Sequence, residues 1–174
     1  IIDHESAQPV TSVSADTQVE GTSLAHTVTL SGASAVATTH SFSLSGVSAT
    51  AGADFSTTAV FSDGVTLAAG VLTVPAGVTS FTVSVPTLQD TIDEPAETTS
   101  IVVGGVSASG TITDDDLPPT ITTVEPGSAG VGDDAVVEGT SLVYNVALSN
   151  ASSVATTFAF SLGGGSASAS DFTN

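Results

Sequence analysis

Lysine and arginine are absent from this 174-residue sequence, as are cysteine, methionine and tryptophan. Without a single basic side chain, 18 Asp and Glu leave a formal charge of -18 that nothing within the chain neutralises. The imbalance excludes nucleic acid as a partner, because phosphate recognition rests on Lys and Arg, and it disfavours docking on an anionic lipid surface. Cations must come from outside. The absence of cysteine removes the disulfides that hold many small exported domains, a constraint that bound metal can replace. No apolar run approaches the length of a membrane span, so membrane insertion is not expected. Ile1-Ile2-Asp3-His4-Glu5 has neither the basic nor the apolar region of a signal peptide, which puts any export signal outside this sequence.

What is present is 40% hydrophobic residues, enough to fill an ordinary core. The bias toward Ser, Thr, Ala, Gly and Val fits long extracellular repeat proteins better than cytosolic enzymes, so a secreted or cell-surface location is expected.

Self-similarity organises the chain. Val19-Glu20-Gly21-Thr22-Ser23-Leu24 recurs as Val137-Glu138-Gly139-Thr140-Ser141-Leu142, and the match continues from Val36-Ala37-Thr38-Thr39 to Val154-Ala155-Thr156-Thr157 and from Asp54-Phe55 to Asp171-Phe172. Ile1–Glu5 likewise parallels Ile112–Asp116, and Val10–Val13 parallels Ile121–Val124. The expected organisation is therefore the tail of a preceding repeat and its joint over 1–8, and a complete repeat over 9–116. A Pro-Pro linker follows over 117–119, then the first half of another repeat over 120–174, with a longer loop around Glu125–Asp134.

Apolar residues alternate with period two, as in Leu24, His26, Val28, Leu30 and in Phe81, Val83, Val85, and no stretch carries the helical pattern. Strands are predicted near 10–18 (A), 23–31 (B), 38–45 (C), 57–67 with an internal turn (D), 78–85 (E), 97–103 (F) and 107–113 (G), separated by Gly, Asp, Ser and Pro clusters. This predicts an all-β, immunoglobulin-like antiparallel sandwich in tandem repeat.

Alternating strand direction puts the A–B, C–D and E–F connections at one end, together with the exit of strand G. Glu20, Asp54, Asp90, Asp93, Glu94, Glu97, Asp114, Asp115 and Asp116 all fall there; Asp16 and Asp63 are the acids of the repeat that do not. Crowded carboxylates raise one another's pKa and oppose compaction unless a counterion joins them. Oxygen ligands without Cys or paired His select a hard cation. Ca²⁺ accepts six to eight oxygens in irregular geometry, whereas Mg²⁺ prefers a strict octahedron, so Ca²⁺ is the expected cofactor.

Val-Glu-Gly ahead of strand B, Thr50-Ala51-Gly52-Ala53-Asp54-Phe55, Asp90-Thr91-Ile92-Asp93-Glu94-Pro95-Ala96-Glu97-Thr98 and Gly110-Thr111-Ile112-Thr113-Asp114-Asp115-Asp116 together resemble the Calx-β family. That family includes calcium-sensing domains of sodium/calcium exchangers and tandem repeats of giant bacterial adhesins of the RTX type. The resemblance implies an immunoglobulin-like sandwich with Ca²⁺ at Glu20, Asp54, Asp90, Glu94, Glu97, Asp114, Asp115 and Asp116, and at Glu138 and Asp171 in the partial repeat. Gln89 stands where the family often has a second acid, which implies a weaker or missing peripheral ion.

Other chemistry finds less support. His26 and His40 occupy inward strand positions where the second repeat has Tyr144 and Phe158, so both read as core filler, and His4 reads as linker. No nucleophile elbow or Ser-His-acid set is brought together, and Gly163-Gly164-Gly165 lacks the following helix of a phosphate loop, so no enzymatic activity is expected. Asn150-Ala151-Ser152 is formally a glycosylation sequon. The expected role is a Ca²⁺-stiffened stalk repeat of a secreted or surface adhesin, with neighbouring repeats of the same chain as partners. Two alternatives stay open: a filament or surface-layer subunit in which identical chains exchange strands, and a direct glycan-, ice- or protein-binding module.

Overall fold

The computed structural model of the chain describes residues 8–127, 135–163, 165–168 and 171. The expected tail of a preceding repeat, with His4, the centre of the long loop at 128–134, Gly164 and Phe172 lie outside the described residues. Every regular element among those described is a strand, and none is a helix long and apolar enough to cross a membrane.

Two sheets make the sandwich of the first repeat. In one, β1 (Val10–Val13), β3 (Ser23–Leu30), β8 (Ser80–Pro86) and β5 (Val60–Phe61) lie side by side in that order. In the other the order is β2 (Asp16–Val19), β11 (Val106–Thr113), β10 (Glu97–Val103), β4 (Thr38–Gly46), β7 (Val71–Val74) and β6 (Thr66–Ala68). Pairing is antiparallel within both sheets except where β2 runs parallel to β11. Strict alternation of burial along β3 and β8 shows why these segments form strands: Leu24, His26 and Val28 face inward opposite Val85, Val83 and Phe81. The core closes with Leu72, Val74, Ile101, Val103 and Ile112 from the second sheet and Phe55 from a loop. Each such side chain contributes roughly 1.5–3 kcal/mol by leaving water.

The structure corrects the strand reading in three places, one of them strand D, whose halves β5 and β6 pair with β8 and β7 in different sheets. Strand A is two strands, because the chain crosses between sheets at Ser14–Ala15: β1 pairs with β3, and β2 pairs with β11. The segment 71–74, unassigned from sequence, is β7, joined to β6 by a tight turn in which Ala69 and Gly70 have φ of 49° and 77°. Positive φ at both central residues is the hairpin geometry usually signalled by Asn-Gly, and Ala at the first position hides that signal.

Beyond the sandwich, β12 (Ile121–Pro126) and β13 (Tyr144–Leu148) form an antiparallel pair. The two short strands β9 (Ile92–Asp93) and β14 (Ala151–Ser152) pair in parallel, joining the acidic loop after β8 to the second repeat.

Candidate metal centre

Three local features carry the acids to one end of the sandwich. The parallel β2–β11 pairing sets Val19 beside Thr113, and the Glu20 amide donates to Thr113 O at 3.0 Å, so the residue leaving β2 lies against the residues leaving β11. Phe55, fully buried, anchors the loop after β4, and Leu88 N donates to Asp54 O at 2.9 Å, tying that loop to the segment after β8. Glu97 opens β10 opposite Ile112 of β11.

The result, among the described residues, is two groups of three carboxylates, each offering ligand oxygens within 4.8 Å of one another: Glu20, Asp115 and Asp116, and Asp54, Glu94 and Glu97. Gln89 bridges the first group, its Nε2 donating at 2.9 Å to both Glu20 Oε1 and Asp115 Oδ1. A neutral amide thus sits between two acids, at the position where the sequence implied only a weaker or missing peripheral ion. Gly21 makes room for it: at φ +72°, a Cβ there would meet Gln89 Oε1 at 2.5 Å.

Asp90 and Asp114 belong to neither group and spend carboxylate oxygens on the backbone. Asp90 Oδ1 accepts from Ile92 N at 2.7 Å, and Asp114 accepts from Glu94 N at 3.1 Å and Asp116 N at 3.2 Å. Both charges act on Glu20 and on Glu94, so they lie between the two groups electrostatically. Glu138 is exposed and outside both groups; Asp171 closes its own turn, accepting from Ser168 N at 2.7 Å. Asp93, left out of the expected ligand set, accepts from the Ser152 hydroxyl at 2.7 Å through Oδ2.

Burial is the first cause of strain in this cluster and neighbouring charge the second. Burial, then the charges of Asp90, Asp114 and Asp115, pushes Glu20 up to about 7. Glu97 is also pushed up to about 7, by burial and by sharing a hydrogen bond with Asp54. Glu94 and Asp116 are raised by burial and by the acids around them. By contrast Asp16, away from the cluster, is held below the ordinary range by the Ala25 amide, which donates to it at 2.7 Å.

The donor set fits a hard divalent cation. It is all oxygen, and Asp116 Oδ2 is buried without a hydrogen-bond partner, an acceptor that a cation would satisfy. Among the described residues, His26 and His40 take no part. His26 is fully buried with Nδ1 2.8 Å from Ser14 O, and His40, its pKa lowered by burial, lies 3.3 Å from Thr38 Oγ1.

No protein-family model matches the chain, and no curated protein matches it. Among solved structures it is similar to the calcium binding domain CBD12 of CALX1.1, at 19% identity and TM-score 0.48, covering 64% of this chain and 49% of that one. It is similar to CBD12 from CALX1.2 at 20% identity and TM-score 0.47, covering 63% and 46%. A non-cellulosomal cohesin from the hyperthermophilic archaeon Archaeoglobus fulgidus shows 13% identity and TM-score 0.28, covering 63% of this chain and 91% of that one. The chain spans about half the length of the two calcium-binding structures, at 49% and 46%.

Proposed function

We propose that the chain is a Ca²⁺-binding structural repeat, an extender of a secreted or cell-surface bacterial adhesin, whose bound ions stiffen the joint to the next repeat. The observation that carries this reading is the pair of carboxylate triads, Glu20–Asp115–Asp116 and Asp54–Glu94–Glu97, in a chain without one Lys or Arg to balance them. The ions would be held by those six carboxylates, with Asp90 and Asp114 supplying charge between them. Calcium neutralises the repulsion that raises Glu20 and Glu97, and it can take ligands from several loops at once. The sequence resemblance to Calx-β repeats supports both the ion and the adhesin setting. Small-angle scattering of a multi-repeat chain tests it: Ca²⁺ should lengthen and narrow the particle, and a profile unchanged by Ca²⁺ overturns the spacer reading.

A second reading, a filament subunit completed by strand exchange between identical chains, has one observation in its favour. Among the described residues β13 pairs only with β12, and Tyr144, Val146 and Leu148 are 45%, 53% and 42% exposed. Regular filaments containing the strands of two chains in one sandwich would decide for it.

A further inference from the structure

One turn occurs twice in the chain and is put to two uses. Ser31-Gly32-Ala33-Ser34-Ala35-Val36 leads from β3 to β4, and Ser149-Asn150-Ala151-Ser152-Ser153-Val154 is its counterpart after β13. Each is tied by its first serine to the start of its own repeat, Ser31 N donating to Pro9 O and Ser149 N to Thr120 O, both at 2.9 Å. Each is closed by its second serine: Ser34 Oγ accepts from Val36 N at 3.2 Å, and Ser152 Oγ from Val154 N at 3.3 Å. Beyond this shared frame the two diverge. Ser34 O accepts from Gly77 N at 2.8 Å, which fastens the first turn to the β7–β8 connection of its own sandwich. The second turn is fastened to the other repeat.

Ala151 and Ser152 run in parallel beside Ile92 and Asp93. Ser153 N donates to Asp93 O at 3.0 Å, and the Ser152 hydroxyl reaches Asp93 O at 3.1 Å and Oδ2 at 2.7 Å. Asn150 Nδ2 donates to Leu117 O at 2.9 Å, a second anchor on the linker. Asp93 belongs to neither carboxylate triad, so these contacts form without an ion. Nor does the turn itself demand Asn150. Its equivalent Gly32 lacks a positive φ, and a Cβ there would meet Gln8 Oε1 at 3.6 Å, an ordinary contact, so either residue suits the backbone. What Asn150 adds is its reach to the linker.

We infer that Ile92–Asp93 is a docking edge for the repeat that follows, and that its partner is a turn with a hydroxyl at the Ser152 position and an amide at the Asn150 position. A single anchor would leave the second repeat free to turn about it; anchors on two segments, the loop after β8 and the linker, oppose that rotation. The clasp therefore sets the direction in which one repeat leaves the next, while the proposed ions relieve the repulsion among the acids beside it. It also discriminates between followers: a repeat carrying the first repeat's turn, with Gly32 in place of Asn150, seats with one anchor fewer.

The test is made on the full chain in EDTA, so that Ca²⁺ plays no part in it. Asp93→Ala removes a charged acceptor and should speed exchange of the Ser153 amide by roughly tenfold or more, and Asn150→Gly, which removes a neutral contact, by roughly 2- to 10-fold. Asp93→Asn keeps an acceptor and should stay nearer the parent than Asp93→Ala. The Val154 amide, bonded within the turn, should exchange at the parent rate in all three, which separates undocking from unfolding of the turn. Spin labels on cysteines introduced by Ser43→Cys and Thr123→Cys, both exposed, read the direction itself in a chain with no cysteine of its own. The parent should show a distinct distance peak that Asp93→Ala broadens. A parent with no such peak, or Ser153 exchange that neither Asp93→Ala nor Asn150→Gly alters, overturns the inference.

Discussion

The two repeats set equivalent sequence in unlike surroundings. Leu24 and Val28 of β3 are 0% exposed, whereas Leu142 and Val146, their counterparts in the second repeat, are 37% and 53% exposed. The alternating sequence is the same, although β13 begins only at Tyr144; what differs is the facing sheet, which β10 and β11 supply in the first repeat and which has no counterpart among the described residues of the second. The acids follow the same division. Asp54 and Asp171 each accept a backbone N–H from a few residues earlier, Thr50 and Ser168, so that turn forms from local sequence. Only Asp54 lies within reach of Glu94 and Glu97. Local geometry repeats with the sequence, but the ion site needs the rest of the sandwich.

The largest expected contrast lies in the cores. Phe81→Ala should destabilise the first repeat by about 3–5 kcal/mol, since Phe81 is 2% exposed between β3 and the opposite sheet. Val146→Ala should cost no more than about 0.5 kcal/mol, as exposed substitutions do. Urea unfolding of the two variants checks the pair, and similar costs would mean that β13 is buried after all.

Next comes the charge cluster. Glu20→Gln should raise the melting temperature of the Ca²⁺-free chain near pH 7.5 by removing a charge that burial and its neighbours disfavour, while reducing the rise that Ca²⁺ produces. Glu138→Gln, at an exposed position, should change neither. Scanning calorimetry with EDTA and with Ca²⁺ reads both, and an effect at Glu138 equal to that at Glu20 would erase the distinction between the repeats.

The pH dependence follows from the same groups. Glu20 and Glu97 rise from 4.5 in the unfolded chain to about 7 in the fold, so between those values the folded state holds more protons than the unfolded state. Stability is then fully present below pH 4.5 and is lost as pH rises through 7. The Ca²⁺-free chain should melt several degrees lower at pH 8 than at pH 5, and saturating Ca²⁺ should reverse that trend by displacing the protons. Calorimetry across this range decides, and a Ca²⁺-free melting temperature that climbs with pH contradicts the clustered geometry.

Much of this was legible in the chain before its structure. Period-two alternation marks β3, β8, β10 and β11, and alternating strand direction is enough to bring the loops of Glu20, Asp54 and Glu97 toward one end. The remainder depends on contacts between distant residues. Nothing local to Ser14–Ala15 signals that β2 leaves β1 for β11, because the crossing is decided by the neighbours on each sheet. The β6–β7 hairpin turns on Ala69-Gly70, a poor textual cue for positive φ. The sorting of acids into two triads, with Asp90 and Asp114 facing backbone amides, depends on distances of a few ångströms that strand order does not set. Gln89 shows the same limit: its type is visible in the sequence, but its bridge between Glu20 and Asp115 is visible only in the fold.

The smallest predicted effect isolates that bridge. Gly21 and Gly139 are equivalent turn glycines with φ of +72° and +87°. Ala at either position suffers the left-handed penalty of about 1–2 kcal/mol, but at Gly139 a Cβ meets nothing within 4 Å, while at Gly21 it meets Gln89 at 2.5 Å. Gly21→Ala must therefore displace Gln89 and return Glu20 and Asp115 to bare repulsion. Its excess cost over Gly139→Ala, about 1.5 kcal/mol as at the low end for a lost hydrogen bond to a charged group, should appear in the Ca²⁺-free chain and shrink with Ca²⁺, which takes over the task of joining the two carboxylates. An excess that stays the same with and without Ca²⁺ would be steric only, and Gln89 would then be a bystander to the ion rather than its uncharged substitute.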